Sequence, residues 1–427
     1  MNMELNQDRF LQILTALIGQ TKHLQNNPPR YIPEEDRAGK IVLEMLRPHT
    51  EENGGPLKVR HIAYKPGRGN IIIEYPGSGD RTVSLVGSHL DVVPADPAGW
   101  ERDPFQLIIE GDKLWGRGVT DCLGHVALIT DLFLQLAESK PDLNVTVIAV
   151  LIANEENSEE TGIGIDELVK QGEMERCKNG PVYWLDSAEI HPTIGTGGMA
   201  PWRLTVQGKL FHSGLPDKAV NALELGVEVM QHIQDRFYHD FPQHPDEQRY
   251  HFVTGSTLKP TQWNTPEGSI NQIPGECTIA GDIRLTPFYR IEDAQKAMQR
   301  YVDELDVTAL TTRGPSRYVL PEENIRGTVE LEWLGDAFKG IACDLESPGY
   351  RVLCDAVKQA LGEVKPFSMT GSLPIVKDLQ DSGFDVQITG FGREDTYHAP
   401  NEFGQLSHFQ TGMKVCSYII DAFHRRG

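Results

Sequence analysis

Histidines and carboxylates stand where the apolar runs of this sequence stop. TVSLVGSHLD closes on His89 and Asp91, VTVIAVLIANEE on Glu155 and Glu156, and VYWLDSAE on Asp186, while FDVQITGFG leads to His398 in EDTYHAPNE. In open α/β sheets the carboxyl ends of strands line the crevice where ligands bind. His89 and Asp91 are two apart, so on a strand they leave the same face, and a carboxylate there can fix the tautomer of a metal-binding imidazole. By itself the pair also fits a His and an Asp that bond only each other. Glu155 and Glu156 are adjacent, so on extended backbone they face opposite ways and suit two different tasks, one holding a metal and one handling protons. They equally fit solvated loop acids, because Asn157, Ser158, Glu159 and Glu160 continue the polarity.

Asp121 follows the loop GRGVTD and opens a segment in which Leu123, Val126, Ala127, Ile129, Leu132, Phe133 and Leu136 recur at helical spacing. The glycines permit tight turns, and a helix N-terminus favours an ionised carboxylate. A plain N-cap is the simpler reading. A dinucleotide fingerprint is excluded, since Asp121 stands where its third glycine belongs and would face a pyrophosphate. Together, two histidines and three carboxylates at strand ends could form a two-metal site with one bridging carboxylate. Nitrogen and oxygen donors without cysteine suit zinc in a catalytic role, and the same donor types accept cobalt and manganese.

The elements that must position these groups are legible. Near-continuous apolar, β-branched runs are what strands of a parallel sheet look like when both faces are covered. Strand and helix alternate from about residue 70 to 190, which predicts an α/β layer architecture with a mixed, mostly parallel sheet flanked by helices. The pattern changes after about 198. WRLTVQGKLFHSG and CTIAGDIRLTP read as strands, NALELGVEVMQHIQDRF and RIEDAQKAMQRYVDEL as helices, the signature of a small α+β unit whose free sheet face or edge could pair with a second copy. From about 347 the first style resumes. The expected organisation is a discontinuous domain of residues 1–197 and 341–427, with an inserted α+β domain at 198–340.

Composition narrows the function classes. The 427 residues carry 40 Lys and Arg against 61 Asp and Glu, a net charge of −21 with no basic run, which argues against a nucleic-acid partner. No apolar stretch reaches the ~18 residues of a membrane span. The N-terminal segment reads as an amphipathic helix on Phe10, Ile13, Leu14 and Leu17 and not as a leader. Six scattered cysteines read as reduced thiols, hence a cytoplasmic protein.

SHLDVVP, GRGVTDCLGH, ANEENS, LDSAE, FHSG and TYHAPNE, in this order and spacing, resemble the two-zinc peptidase family of acetylornithine deacetylases, succinyl-diaminopimelate desuccinylases, aminoacylases and glutamate-releasing carboxypeptidases. The resemblance spans nearly the whole chain. NGGPLKVRHIAYKPGRGNIIIEYPG, PTQWNTPEGSINQIPGECT and GDIRLTPFY are similar to the eukaryotic-type acetylornithine deacetylase branch.

The resemblance implies two zinc ions per subunit. His89 and Asp186 would hold one and Glu156 and His398 the other, with Asp121 bridging, Asp91 orienting His89 and Glu155 as general base. It also implies a cis peptide between Asp121 and Cys122. The inserted domain would form a homodimer contact and present His212 to the partner's site, with Asn271 and Arg284 binding the substrate carboxylate. An ordinary turn at His212 and a surface arginine at position 284 are the plainer readings. Two departures, Cys122-Leu123-Gly124-His125 and Thr370-Gly371-Ser372-Leu373-Pro374, touch the expected substrate pocket and leave the metal site intact. The expected reaction is removal of an N-acyl group, acetyl from N2-acetyl-ornithine. Another N-acyl amino acid or a dipeptide remains open, as does an inactive binding or scaffold protein, which retention of all seven metal-site positions argues against.

Overall fold

The computed structural model describes residues 3–157, 159–186 and 189–426, so Ser158 of ANEENS and Ser187 and Ala188 of LDSAE lie outside the described residues. The chain divides into two units. One comprises Met1–Ile194, Cys343–Phe367 and Ile375–Gly427; the other comprises Gly195–Ala342 and Ser368–Pro374. The second unit therefore takes in seven residues, Ser368–Pro374, of the segment that sequence patterning leaves with the discontinuous domain. The reason is backbone pairing: Met369 N–H donates to Gly195 O and Gly197 N–H to Gly371 O, too short a return to carry a hydrophobic period.

In the first unit a sheet sets Lys58–Lys65, Arg68–Tyr75, Thr146–Ile152, Thr82–His89, Pro181–Leu185 and Asp385–Thr389 side by side. The last four run parallel, and the first two form an antiparallel edge, Arg68–Tyr75 lying antiparallel to Thr146–Ile152. Thr82–His89, Thr146–Ile152 and Pro181–Leu185 are buried at every position, which explains why they read as near-continuous apolar runs. Alternate residues, among them Val83, Leu85, Val147, Ala149, Leu151, Tyr183 and Leu185, share one core with the helices Asp36–Leu46, Gly124–Ser139, Pro348–Leu361 and Leu406–Arg425. The amphipathic helix Gln7–Ile18 packs on Gly124–Ser139 through Phe10, Ile13, Leu14 and Leu17. The segment Val119–Ser139 has the length and apolarity of a membrane span, yet it is almost wholly buried within this core.

The second unit is an antiparallel sheet ordered Thr257–Asn264, Glu276–Leu285, Gly198–Gln207, Thr328–Trp333. Helices Ala222–Asp240 and Ile291–Asp303 cover one face, and Gly198–Gln207 alternates buried and half-buried residues as a one-sided strand must. The strand read through FHSG instead ends at Gln207. Phe211–His212 is a separate two-residue strand paired with Gln272–Ile273, because at Gly208 the chain turns to bond Gly275 O and leaves the sheet.

One glycine in the first unit aims the site. Gly87 has φ +98°, and its strand slips register between Val86 and His89, a bulge that re-aims His89 at the sheet end. A Cβ at position 87 would stand 2.5 Å from the Trp184 ring. Gly87→Ala should therefore cost about 3 kcal/mol from overpacking and left-handed backbone together. Urea unfolding checks this, and a loss under 1 kcal/mol would show the bulge to be slack.

Candidate metal centre

Every imidazole and carboxylate read from the strand ends is brought together in the first unit. His89 closes its strand fully buried; its Nε2 lies 2.8 Å from Asp121 Oδ1, 3.3 Å from Asp186 Oδ1 and 3.9 Å from Glu155 Oε2. His398 Nε2 lies 3.0 Å from Asp121 Oδ2 and 3.1 Å from Glu156 Oε2. Asp121 thus gives one carboxylate oxygen to each histidine. It is not a helix cap: the helix begins at Gly124, and Asp121 sits in the preceding wide turn with extended backbone, φ −130° and ψ 88°. The Asp121–Cys122 peptide is cis.

The ring of His89 is fixed from behind. Its Nδ1 is 2.9 Å from Asp91 O and 3.4 Å from Asp91 Oδ1. Asp91, itself fully buried, accepts the N–H of Glu155 on Oδ1 and the N–H of Glu156 and the Asn26 amide on Oδ2, at 3.1, 3.1 and 2.7 Å. Burial raises the Asp91 pKa, but His89, Asn26 and the Glu156 N–H outweigh it and hold the carboxyl below its usual range. One buried carboxylate therefore holds both the first histidine and the backbone of the two adjacent glutamates.

A second layer was invisible in the sequence. Asn26 Nδ2 also donates to Asn154 Oδ1 at 2.9 Å, which receives Arg68 Nη2 at 3.0 Å; Arg68 makes a two-pronged buried pair with Glu35, and Glu35 accepts the Asn154 N–H. Asn154 needs this support because its φ is +60°. Glu402, fully buried, grips the loop that carries Asp121. Glu402 lies within TYHAPNE, so an acid beside the second histidine was the available signal. For Asn26, in the turn-forming NNPP, there was none.

The electrostatics call for cations. Asp91, Asp121, Glu155, Glu156 and Asp186 face two imidazoles in a site where every side chain except His398 is buried or nearly so. Burial lowers His398, yet Asp121 and Glu156 push it up to about 11. Burial, then Asp186, drives Glu155 far above the usual carboxylate range. Among the described residues, Glu156 Oε1 and Asp186 Oδ1 are buried without a hydrogen-bond partner. Protons taken up by histidine and glutamate are the response of a cluster built for positive charge. The donor atoms of His89, Asp121 and Glu156 lie within 4.8 Å of one another, as do those of His89, Cys122 and Asp186.

Cys122 and His125, two of the departures in GRGVTDCLGH, face the core. Burial drives the Cys122 thiol well above its usual range, and its Sγ meets Leu185 O at 3.7 Å. His125 is fully buried between Phe391 and Phe409, and its Nε2 accepts the Phe391 N–H at 2.8 Å, which requires a neutral ring. The three remaining predicted residues lie in the second unit. His212 is exposed, its Nδ1 accepting the Gly214 N–H; Asn271 is exposed one residue before its paired strand; Arg284 is half-buried with Nε 2.7 Å from Asp282 Oδ2.

A model of peptidase family M20/M25/M40 matches residues 85–422. An acetylornithine deacetylase of Arabidopsis thaliana is 54% identical over 421 residues, covering 97% of this chain and 96% of that protein. One of Dictyostelium discoideum is 53% identical over 438 residues, covering 99% and 98%. Among solved structures, human carnosine dipeptidase 1 shares the fold at a TM-score of 0.70 with 18% identity, covering 98% of this chain and 96% of that one.

Burial lowers His125 to about 4, against about 6.5 for an unfolded imidazole. Its contribution to stability is complete above pH 6.5 and is lost as pH falls from 6.5 through 4, by about 3 kcal/mol. His125→Gln keeps an acceptor for Phe391 and removes the titration. Its urea midpoint should fall less than that of wild type over that interval; parallel curves would mean that His125 is protonated in the fold.

Proposed function

This chain belongs to peptidase family M20/M25/M40, and on that premise we propose that it removes the acetyl group of N2-acetyl-L-ornithine, releasing L-ornithine and acetate. End-to-end identity of 53–54% with two acetylornithine deacetylases carries the choice of substrate. The chemistry rests on Asp121, whose two oxygens address two separate histidines.

The donor set fits two divalent ions. His89 and Asp186 would hold one, Glu156 and His398 the other, and Asp121 both. Imidazole and carboxylate suit zinc, with cobalt or manganese as substitutes. Cys122 is left outside the set, its Sγ being turned to Leu185 O. When bound, such ions supply Lewis acidity and bring the pKa of water toward neutrality.

The remaining work falls to side chains. Asp91 keeps His89 in one tautomer. Glu155 is bonded through its backbone N–H to Asp91, and its Oε2 stands 3.9 Å from His89 Nε2. It takes the proton from the attacking water and returns it to the leaving amine, one group acting as base and then acid. His398, about half exposed, stands on the solvent side where substrate arrives. Arg284 and Asn271 bind the substrate carboxylate, Arg284 exchanging its contact with Asp282 for it.

His212 stabilises the oxyanion from a second copy of the chain. What supports a homodimer is the surface near it in the second unit. Leu210, Leu215 and Ile270 flank the His212 hairpin and are 53%, 45% and 103% exposed, and the edge strand Thr257–Asn264 is unpaired on its outer side among the described residues.

Against a panel of N-acyl amino acids and dipeptides, the wild type should turn over N2-acetyl-ornithine at least about tenfold faster than the rest, roughly 1.4 kcal/mol of transition-state preference. Glu155→Ala should abolish that turnover with two metal ions still bound by elemental analysis. Loss of metal would make Glu155 a ligand and remove its role as base. Mixing His212→Ala subunits with Glu155→Ala subunits should restore part of the activity through hybrid sites. Hybrids that form and stay inactive would place His212 outside the partner's chemistry.

A further inference from the structure

Glu402 is a carboxylate with no exposed surface, and its side-chain partners all come from one short stretch of backbone and its arginine. Oε1 accepts the N–H groups of Thr120 at 2.9 Å, Gly118 at 3.1 Å and Asp121 at 3.2 Å. Oε2 accepts Arg117 Nη1 at 2.7 Å and shares the Gly118 N–H at 3.1 Å. Successive N–H groups converging on one anion form a nest, here closed by a guanidinium. The turn can present them because Gly118 has φ +90°, a conformation side chains resist.

The same acid joins the two loops that meet at Asp121. Glu402 follows His398 by four residues, and its carbonyl accepts the Gly116 N–H. Thr120 Oγ1 donates to Phe403 O at 2.9 Å, and Phe403–Gln405 pairs antiparallel with Lys113–Trp115. His398 meanwhile holds φ +59°, a conformation uncommon for a residue other than glycine. Neither loop has another buried side chain reaching across with this many bonds among the described residues.

We propose that Glu402 is the positioning residue for Asp121: its carboxylate fixes the backbone of residues 117–121 against the His398 loop, so that one oxygen of Asp121 meets His89 while the other meets His398. The contact that makes this more than a loop staple is the bond to the N–H of Asp121 itself. Turning that peptide would swing the carboxylate plane and break one of the two histidine contacts first. The inference rests on the reading of Asp121 as a shared metal ligand.

Glu402→Gln keeps the shape and changes the bonding. Whichever way the amide lies, its NH2 faces either the N–H nest or Arg117, donor against donor. Metal-depleted full-length protein is titrated with Zn2+ against a chromophoric chelator, and circular dichroism verifies that each variant is folded. The wild type should take up two equivalents. Glu402→Gln should remain folded and lose 10–100-fold in Zn2+ affinity, the range for residues that orient metal ligands. Its turnover should recover as Zn2+ is raised, with KM near the wild-type value because no substrate contact has changed. Arg117→Lys keeps the charge and leaves the three N–H bonds, so it should stay within about threefold of wild type, under 0.7 kcal/mol.

Two equivalents bound by Glu402→Gln at wild-type affinity would overturn the proposal. Equal losses in Arg117→Lys and Glu402→Gln would also overturn it, since the ion pair and not the nest would then matter. A wild type that binds no Zn2+ would instead bring down the metal reading beneath it. Should Glu402→Gln fail to fold, Glu402→Asp, which keeps the charge one methylene short of the nest, is measured in its place with the same outcomes.

Discussion

The structure turns on an excess of buried negative charge. Five carboxylates, Asp91, Asp121, Glu155, Glu156 and Asp186, converge on two imidazoles at the end of an apolar sheet. Charges in such surroundings must be paired, neutralised or bound to metal. The histidines cannot balance the acids even when both are protonated. Each feature of the site answers this imbalance: Asp91 is tied to N–H groups and Asn26, Asp121 divides its oxygens, and Glu156 and Asp186 each keep an oxygen without a hydrogen-bond partner among the described residues.

Keeping like charges together without letting them move apart requires a rigid frame, which the parallel strands supply. Thr82–His89, Thr146–Ile152 and Pro181–Leu185 are adjacent and parallel, so their carboxyl ends fall side by side and residues from 89 to 186 meet. Helices on the sheet exclude water and leave these strands buried at every position. The same burial makes the strand ends abrupt in sequence, since polarity resumes where the sheet stops.

That is why much of the site was legible. A hydrophobic run ending in His, Asp or Glu announces both a strand and its functional end, and several such runs announce an α/β fold with a shared crevice. The residues that hold the ligands left no such trace. Glu402 bonds backbone N–H groups over 280 residues away in the sequence, Asn26 reaches Asp91 across 65, and Arg68 reaches Asn154 across 86. Backbone donors have no residue type to recognise, and a polar residue in a turn looks alike whether or not its amide is buried. The apolar period that begins beside Asp121 points to a helix start there, although its backbone is extended and the helix starts three residues on. The return of Ser368–Pro374 to the second unit was equally silent, being carried by backbone bonds alone.

The adjacent acids Glu155 and Glu156 show how one residue separates two tasks. Asp91 binds both of their N–H groups, one on each carboxylate oxygen, which fixes two consecutive peptides against a single buried anchor. Their side chains then leave in different directions, Glu156 to His398 at 3.1 Å and Glu155 to the neighbourhood of His89 at 3.9 Å. The nearer acid has a close partner in His398, while the farther stands 3.9 Å from His89, and an acid not committed to a ligand contact is the one free to exchange a proton. A ligand must hold still while a general base must move within the same cluster, and the two demands conflict unless the backbone between them is pinned. Asp91, which touches the first histidine as well, pins it, so the tautomer of His89 and the division of labour between the glutamates are set by the same carboxylate.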